Sequence, residues 1–503
     1  MHVNIGGDMK KRVAIIGSGI GGLCTGIRLL YEGFEVDIFE KQKYAGGVTG
    51  ANPEDRFRFD TTASIALDPL EYDAVFRDCG LNPREYVHFI DLDTLYTVFF
   101  ENGKTWELKR YANTGKRDFS NCFGESFRNY AAFINQLYKK YQVADKFFLT
   151  QPFCRAKSII NTHTLAAALE IRPYRSAYSE ICSYVDNQNL RDLLAFLCFY
   201  MGISPYKLIN MYASVGAVTQ VRGIKHIQGG MQNYTLALIK AFGDLGGKLY
   251  CDTPIDEIVI KSNKAYGVKV NSKIIPYDIV VSNADYSYTI SNLIKKKTIS
   301  KRYNPRITNN FTMSCSVFIL RLALSERLEN LSVHNIYISN DFKKEIERVF
   351  DGLTPQNPPI YLYYPSSIDE SFVCEGNGCL NIMVRVPNLK DSFDWDDHTI
   401  GSLKQLLKSK LSQLTGVKNI EELIVYEDVF TPIDLQQKYN CYLGAAFGLG
   451  HTTLQSIFLR PQVCGSVKNL YFVGSSIHPG NGVTMVMKCA KTAVEEIVKN
   501  TGE

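Results

Sequence analysis

Val13-Ala14-Ile15-Ile16-Gly17-Ser18-Gly19-Ile20-Gly21-Gly22 is an apolar run that breaks into closely spaced glycines. Four apolar residues in a row predict a buried parallel strand, and glycines at 17, 19 and 22 complete G-x-G-x-x-G. In that pattern the first glycine makes the tight turn, the second lets backbone approach a pyrophosphate, and the third lets a helix pack close to the strand. The helix is expected to start near Ile20, with its free N–H groups and positive dipole end toward the phosphates, and to stop around Glu32-Gly33. A second strand, Glu35-Val36-Asp37-Ile38-Phe39, ends at Glu40, 18 residues past Gly22. An acidic side chain there can accept hydrogen bonds from ribose hydroxyls. The whole unit, strand–turn–helix–strand–Glu, predicts a dinucleotide site.

Gly46-Gly47-Val48 lies in a second glycine-rich loop, whose N–H groups could reach another part of a long cofactor. At the other end of the chain, Asn469 to Gly474 reads as a buried strand ending on glycine. The turn Ser475-Ser476-Ile477-His478-Pro479-Gly480-Asn481-Gly482 follows, then a helix from about Thr484 to Lys499. This is a second helix N-terminus aimed at a ligand, so the two ends of the chain are expected to hold the two ends of one cofactor.

The 503 residues can bury a large core, and 45% hydrophobic with 21% charged residues suits an ordinary globular protein. A net charge of +5 is too mild to imply a nucleic-acid partner. The 13 cysteines are scattered without a C-x-x-C pair, so neither a zinc framework nor a disulfide scaffold follows, and reduced thiols with no metal are expected. Met1–Arg12 lacks an apolar run and leads straight into the first strand, so no signal peptide is expected, and no apolar run reaches membrane-spanning length.

Along the chain, Tyr96–Phe100 and Thr105–Leu108 flank the turn-prone Asn102-Gly103, a hairpin that opens an antiparallel sheet. From 119 to about 222 the periodicity turns helical. Gly229-Gly230-Met231 precedes another helix, and Lys248–Tyr250, Ile255–Ile260, Ala265–Val270 and Ile279–Val281 read as strands returning to α/β. Ser316–Leu320, Ile360–Tyr364 and Leu380–Val384 resume the second sheet. The expected division is 1–75, 223–300 and 465–503 for the dinucleotide domain, 76–118 and 301–464 for the inserted sheet, and 119–222 for a helical subdomain.

Further motifs carry a resemblance over nearly the whole chain. They are Phe57-Arg58-Phe59-Asp60, Gln228-Gly229-Gly230-Met231, Ser282-Asn283-Ala284-Asp285, Phe430-Thr431-Pro432, Gly444–Leu449, Arg460-Pro461 and His478-Pro479-Gly480-Asn481-Gly482. With these the sequence resembles the bacterial carotenoid (phytoene or dehydrosqualene) desaturases, FAD-dependent oxidoreductases among the amine-oxidase-like flavoproteins. Three positions depart from the pattern. Val48 stands where Gly-Gly is usually followed by Arg, Thr61-Thr62-Ala63-Ser64 replaces Gly-Pro-Ser/Thr, and Gly450-His451 replaces Glu-Pro.

The resemblance implies an α/β fold: a Rossmann-type FAD-binding domain of the glutathione-reductase/amine-oxidase kind, an inserted mixed β-sheet substrate domain and a helical membrane-facing subdomain. It implies FAD as cofactor, in contact with Gly17, Ser18, Gly19, Gly21, Gly22, Glu40, Lys41, Gly46, Gly47, Val48 and Ile255 at one end. Gly474, Ser475, Gly482, Val483, Thr484 and Met485 are its expected contacts at the other.

The reaction implied is desaturation of a long isoprenoid, with hydride transfer to flavin N5 and loss of a proton from the neighbouring carbon. A saturase or isomerase of the same fold, a desaturase of fatty-acyl chains and a non-catalytic lipid-binding flavoprotein are the alternatives. His478, the titratable residue of the flavin-side turn, either handles a proton or polarises the flavin, or simply bonds backbone; Arg460 either pairs a cofactor phosphate or staples the sheet, the second being the favoured reading. Residues 101–160 carry eleven Lys/Arg against five Asp/Glu, next to apolar helical stretches at 190–212. This is either a solvated basic face beside buried helices, or a surface docking on the inner face of the cell membrane. In the second case Lys139, Lys140 and Lys146 sit near headgroups, and Phe196, Phe199 and Met201 penetrate.

Overall fold

The computed structural model describes residues 10–154, 162–171, 173–295, 311–390 and 395–502. Its first layer is a parallel sheet with spatial order Leu470–Phe472, Ile279–Ser282, Arg12–Ile16, Glu35–Phe39 and Lys248–Tyr250. Ile15 lies between Val281 and Ile38 in register. Continuous apolar runs suit strands covered on both faces, and Val13, Ala14, Ile15, Val280 and Val281 are fully buried. The helices Ile20–Tyr31, Gly230–Asp244 and Val483–Gly502 cover the sheet, sharing one core with it through Leu23, Leu238 and Ala490. Glu257–Lys261, Lys264–Val270 and Lys273–Pro276 form a separate antiparallel meander rather than further strands of this sheet.

The second sheet has eight strands among the described residues. Its main order is Ile424–Phe430, Ser316–Leu324, Asn377–Val386, Ile360–Tyr363, His334–Ile338, Tyr96–Phe100 and Thr105–Leu108, with Val373–Cys374 beside Asn377–Val386. The hairpin at Asn102-Gly103 forms as the turn chemistry requires, but its first strand enters the sheet parallel to His334–Ile338, so the sheet is mixed. Strand alternation divides the side chains. Phe318, Leu320 and Leu322 pack with Leu403, Leu407 and Leu411 of the helix Asp397–Thr415, whereas Val317, Ile319, Tyr361 and Met383 face the helical segment.

That helical segment includes Phe127–Ala144, Thr162–Ile171, Gln188–Phe199 and Ser214–Arg222. Here the expectation that Phe196, Phe199 and Met201 penetrate a bilayer is corrected: all three are buried in the core between sheet and helices. Gln188–Phe199 is apolar all round from Leu193 onward, the pattern of a core helix rather than a surface one. Lys140 is likewise engaged, its ammonium 2.5 Å from the buried Glu180 carboxylate, while Lys139 and Lys146 are exposed.

The expectation of reduced thiols throughout is also corrected. Cys154 and Cys464 form a disulfide across 310 positions, a pairing made by tertiary approach that spacing along the chain could not reveal. Lys488 of the C-terminal helix reaches Asp145 at 2.5 Å and Glu71 at 3.0 Å with its own side chain almost wholly shielded, a second tie between the layers. The sequence has a basic run, Lys295-Lys296-Lys297 with Lys301 and Arg302, of which Lys295 pairs with Glu257. Lys296, Lys297, Lys301 and Arg302 lie outside the described residues. Among the described residues no helix is long and apolar enough to cross a membrane.

Candidate active site

The first parallel strand delivers the chain into a turn at Gly17, which takes φ +95°. A Cβ on Gly22 would stand 2.2 Å from the Gly17 carbonyl oxygen, so only glycine lets the helix sit this close. The helix begins at Ile20 behind Gly19, which offers no side-chain cap, leaving first-turn N–H groups open toward a ligand. Glu40 is buried. Its Oε2 accepts from the Ser18 amide at 3.0 Å and the Ser18 hydroxyl at 2.6 Å, and its Oε1 accepts from the Gln42 amide at 2.9 Å. Ser18 Oγ in turn accepts from the Gly46 amide at 2.9 Å. One carboxylate thereby locks the first glycine turn to the second.

These groups open on a cavity of about 470 Å³, within the usual range of ligand sites. Gly17, Gly19, Gly21, Glu40, Lys41 and Ile255 line it, as do Gly46, Gly47 and Val48. The turn and helix at the chain's end supply Gly474, Ser475 and Gly482, then Val483, Thr484 and Met485. Ser18 and Gly22 stand behind the wall, Ser18 as the tie just described and Gly22 as the close-packing position. The cavity lies outside the carboxyl ends of parallel strands, with two helix starts, Ile20 and Val483, meeting it. The arrangement fits an extended dinucleotide with phosphates at one end and a second electron-rich group at the other.

The same cavity continues against the second sheet, where Tyr96, Tyr200, Tyr361 and Met383 join the wall with Phe447. Its far end is apolar, with Tyr141, Leu149, Met211 and Val218. One hydrogen-bonded chain reaches the surface of the aromatic part. Ser64 Oγ lies 2.9 Å from the Tyr361 hydroxyl, which lies 2.7 Å from His334 Nδ1. The imidazole lies nearly parallel to the rings of Tyr361 and Tyr363, with centroids 6.0 and 5.4 Å away, and burial pushes its pKa down to about 3, so it stays neutral. Behind it His226 Nε2 pairs with Asp369 at 2.7 Å. The sequence reading missed Tyr361 and His334. Its available signal was the alternation in Ile360–Tyr363, which sends Tyr361 and Tyr363 to one face.

His478 is not among the lining residues. Its Nε2 donates to the Phe148 carbonyl at 2.7 Å, the ring packs on Phe153, and burial lowers its pKa to about 4. It binds backbone. His451 is fully buried between the Tyr212 hydroxyl at 2.6 Å and Asn481 Oδ1 at 2.8 Å. Arg460 donates to the carbonyls of Ser475, Leu449 and Ile477, so it staples the C-terminal turn rather than the sheet.

Beyond the cavity's apolar end, Thr162–Ile171 turns Ala167 and Ile171 inward, and Ile171 packs with Tyr141, Leu149 and Val218 of the cavity wall. Its outer side carries Leu165 and Leu169, 64% and 72% exposed, and Tyr174 just beyond the helix is 77% exposed. Single exposed leucines are ordinary, but a helix apolar on both sides asks for a second partner.

Residues 15–79 match the NAD(P)-binding Rossmann-like domain family. The 4,4'-diapophytoene desaturase (4,4'-diaponeurosporene-forming) of Staphylococcus haemolyticus is 32% identical over 494 residues, 97% of this chain and 99% of that protein. The enzyme of the same name from Staphylococcus aureus is 31% identical over 496 residues, with the same coverage. Among solved structures, an oxidoreductase from Methanosarcina mazei superposes with a TM-score of 0.63 at 15% identity, over 97% of this chain and 100% of the other. Cyclohexylamine oxidase from Brevibacterium oxydans also gives 0.63, at 12% identity, over 98% and 100%. These two likenesses establish the fold.

Proposed function

Because the chain belongs to the carotenoid desaturase family of FAD-dependent oxidoreductases, we propose that it desaturates a long isoprenoid polyene, as the names of its staphylococcal relatives state for theirs. The observation that carries this reading is one continuous cavity, whose wall joins a dinucleotide cradle to aromatic and apolar side chains of the kind that would face a hydrocarbon chain. Gly17, Gly19, Gly21 and the helix start at Ile20 would take the pyrophosphate. Glu40 would take the ribose, with Lys41 and Ile255 beside it. Gly46, Gly47 and Val48 would border the middle of FAD, and Gly474, Ser475 and Gly482 to Met485 the ring. Bound FAD supplies a two-electron acceptor able to take a hydride from one CH₂ of the chain.

The protein's own part is orientation, exclusion of water and disposal of the proton from the neighbouring carbon. Apolar and aromatic walls do the first two. For the third, Tyr361 Oη accepts the carbon-bound proton while passing its own to His334 Nδ1, in the tautomer whose Nδ1 is free. A neutral imidazole of low basicity suffices, because a C–H beside a carbon losing hydride is strongly acidic.

Such a substrate dissolves in a bilayer, and the reading includes peripheral docking on the cytoplasmic face of the membrane. The exposed leucines of Thr162–Ile171 sit over the apolar end of the cavity, with the exposed Lys139 and Lys146 on the helical segment packed against it.

Anaerobic mixing of the FAD-loaded protein with C30 and C40 polyenes tests the chemistry. Bleaching of the flavin with formation of a longer conjugated system is expected. Product only from pre-reduced flavin would instead make this a saturase or isomerase, and binding without spectral change a lipid-binding flavoprotein.

A further inference from the structure

Asn377–Val386 is apolar on one side, where Ile382, Val384 and Val386 enter the core under the helix Asp397–Thr415. Alternation puts Met383 and Arg385 on the other side, and both line the cavity. Arg385 is 6% exposed. No carboxylate pairs with it among the described residues. Its Nη1 donates to the thioether of Met383 at 2.9 Å, a weak acceptor, and its Nε has no partner. The guanidinium carbon lies over Phe447 at 4.9 Å, Tyr200 at 5.7 Å and Phe199 at 5.8 Å. Aromatic rings therefore surround the cation while its hydrogen-bonding edge stays largely unused.

A buried guanidinium without an anion is costly, and π faces compensate charge without satisfying in-plane N–H donors. Nothing about the strand requires arginine here, since its neighbours in the wall are Tyr, Phe and Met. A planar fork of donors in an aromatic sleeve is matched by a planar pair of acceptor oxygens. We infer that Arg385 is a headgroup site, and that the cavity takes an isoprenoid chain ending in a carboxylate, its two oxygens on the guanidinium edge. This rests on the isoprenoid reading of the cavity and narrows it from hydrocarbon chains to oxidised ones.

The test uses FAD-loaded full-length protein and three C20 probes of one skeleton: geranylgeranoic acid, its methyl ester, and the hydrocarbon with a terminal methyl. Binding is read from perturbation of flavin absorbance and fluorescence, without turnover. The wild type is expected to bind the acid at least tenfold more tightly than the ester or the hydrocarbon. Arg385→Gln should remove that preference while ester and hydrocarbon bind as before, and Arg385→Lys, which keeps the charge but not the fork, should retain part of it.

Equal binding of the three probes by the wild type overturns the headgroup site and leaves the isoprenoid reading standing. Binding of none of them overturns both. The wild-type comparison does not depend on any variant folding. An Arg385→Gln protein that keeps the preference for acid but shifts the flavin spectrum or loses FAD would assign the guanidinium to the cofactor and overturn the proposal.

Discussion

Tyr361 and His334 sit on neighbouring antiparallel strands, with the phenol oxygen 2.7 Å from Nδ1 of a fully buried imidazole. Ser64 holds the phenol from the other side, so the hydroxyl is fixed at the cavity surface rather than free to rotate. A tyrosine oriented in this way is costly unless its partner is satisfied, and His334 Nε2 has none. Under the proposed function the pair has a use, the transfer of a proton from the cavity surface to His334.

Tyr361→Phe should therefore lower the rate of polyene oxidation by about 100-fold, at the low end of what a positioned acid–base group contributes. Polyene affinity should change by less than about twofold, because ring and shape are kept. Rapid-reaction measurement of flavin bleaching separates the two quantities. An unchanged bleaching rate would remove Tyr361 from the proton path.

Glu40 has a double task in this structure. It lines the cavity, and it accepts three hydrogen bonds that join Ser18 and Gln42, with Gly46 held through Ser18. Glu40→Ala should weaken FAD by roughly 1–3 kcal/mol and also lower the stability of the FAD-free protein by a similar amount, since buried donors lose their acceptor. Titration with FAD and melting without it measure the two effects. A melting temperature unchanged without FAD would show that the carboxylate serves the cofactor alone.

How much of this was legible in the sequence follows from how local each signal is. The Gly17–Gly22 turn, the strand pair around it and Glu40 are specified within thirty residues, and all form as expected. The same holds for the Asn102-Gly103 hairpin. The side chains facing the second half of the cavity come from strands at 96, 334, 360 and 377 whose order in the sheet is not sequential, so no spacing announces them. Arg385 left the clearest trace, a single charge in the apolar run Ile382–Val386, but a trace without an address. Apolar character alone misdirected the membrane reading. Phe196 and Phe199 are as hydrophobic as Leu165 and Leu169, and only tertiary packing decides which pair is covered.

Acid should destabilise the protein through its buried histidines. His334 and His478 have pKa values lowered by burial to about 3 and about 4, so below the ordinary value of 6.5 the unfolded chain binds protons that the folded chain refuses. The stabilisation is complete above pH 6.5 and falls as pH drops, at about 1.4 kcal/mol per unit for each, or about 2 kcal/mol each by pH 5. Asp60 works the other way. Burial raises it to about 6 despite the amides of Met231 and Gln232, so below that pH the folded state holds the extra proton and offsets about 1 kcal/mol by pH 5. Denaturant titrations at pH 7, 6 and 5 should show a net loss, and His478→Gln should shrink it by about 2 kcal/mol. The same loss in wild type and variant would mean that His478 does not titrate on unfolding.

The outer face of Thr162–Ile171 is the expected membrane contact. Its inner side packs through Ile171 against Tyr141, Leu149 and Val218, three residues of the cavity wall, which sets this helix beside the apolar part of the cavity. Leu165 and Leu169 lie one turn apart on the exposed side, and burying two leucines in lipid contributes roughly 2–4 kcal/mol. Lys139 and Lys146 each add on the order of 1 kcal/mol near anionic headgroups, screened by salt. Leu165→Glu with Leu169→Glu should abolish co-sedimentation with liposomes containing anionic lipid, while flavin content and melting temperature stay at the wild-type level because neither leucine is in the core. Lys139→Glu with Lys146→Glu should remove only the component that depends on anionic lipid and ionic strength. Phe196, which the sequence alone put in the bilayer, serves as the contrast: Phe196→Ala should cost about 3–5 kcal/mol of stability, as a buried aromatic does, without a specific effect on binding. Liposome binding that survives both leucine substitutions would move the docking face elsewhere on the protein.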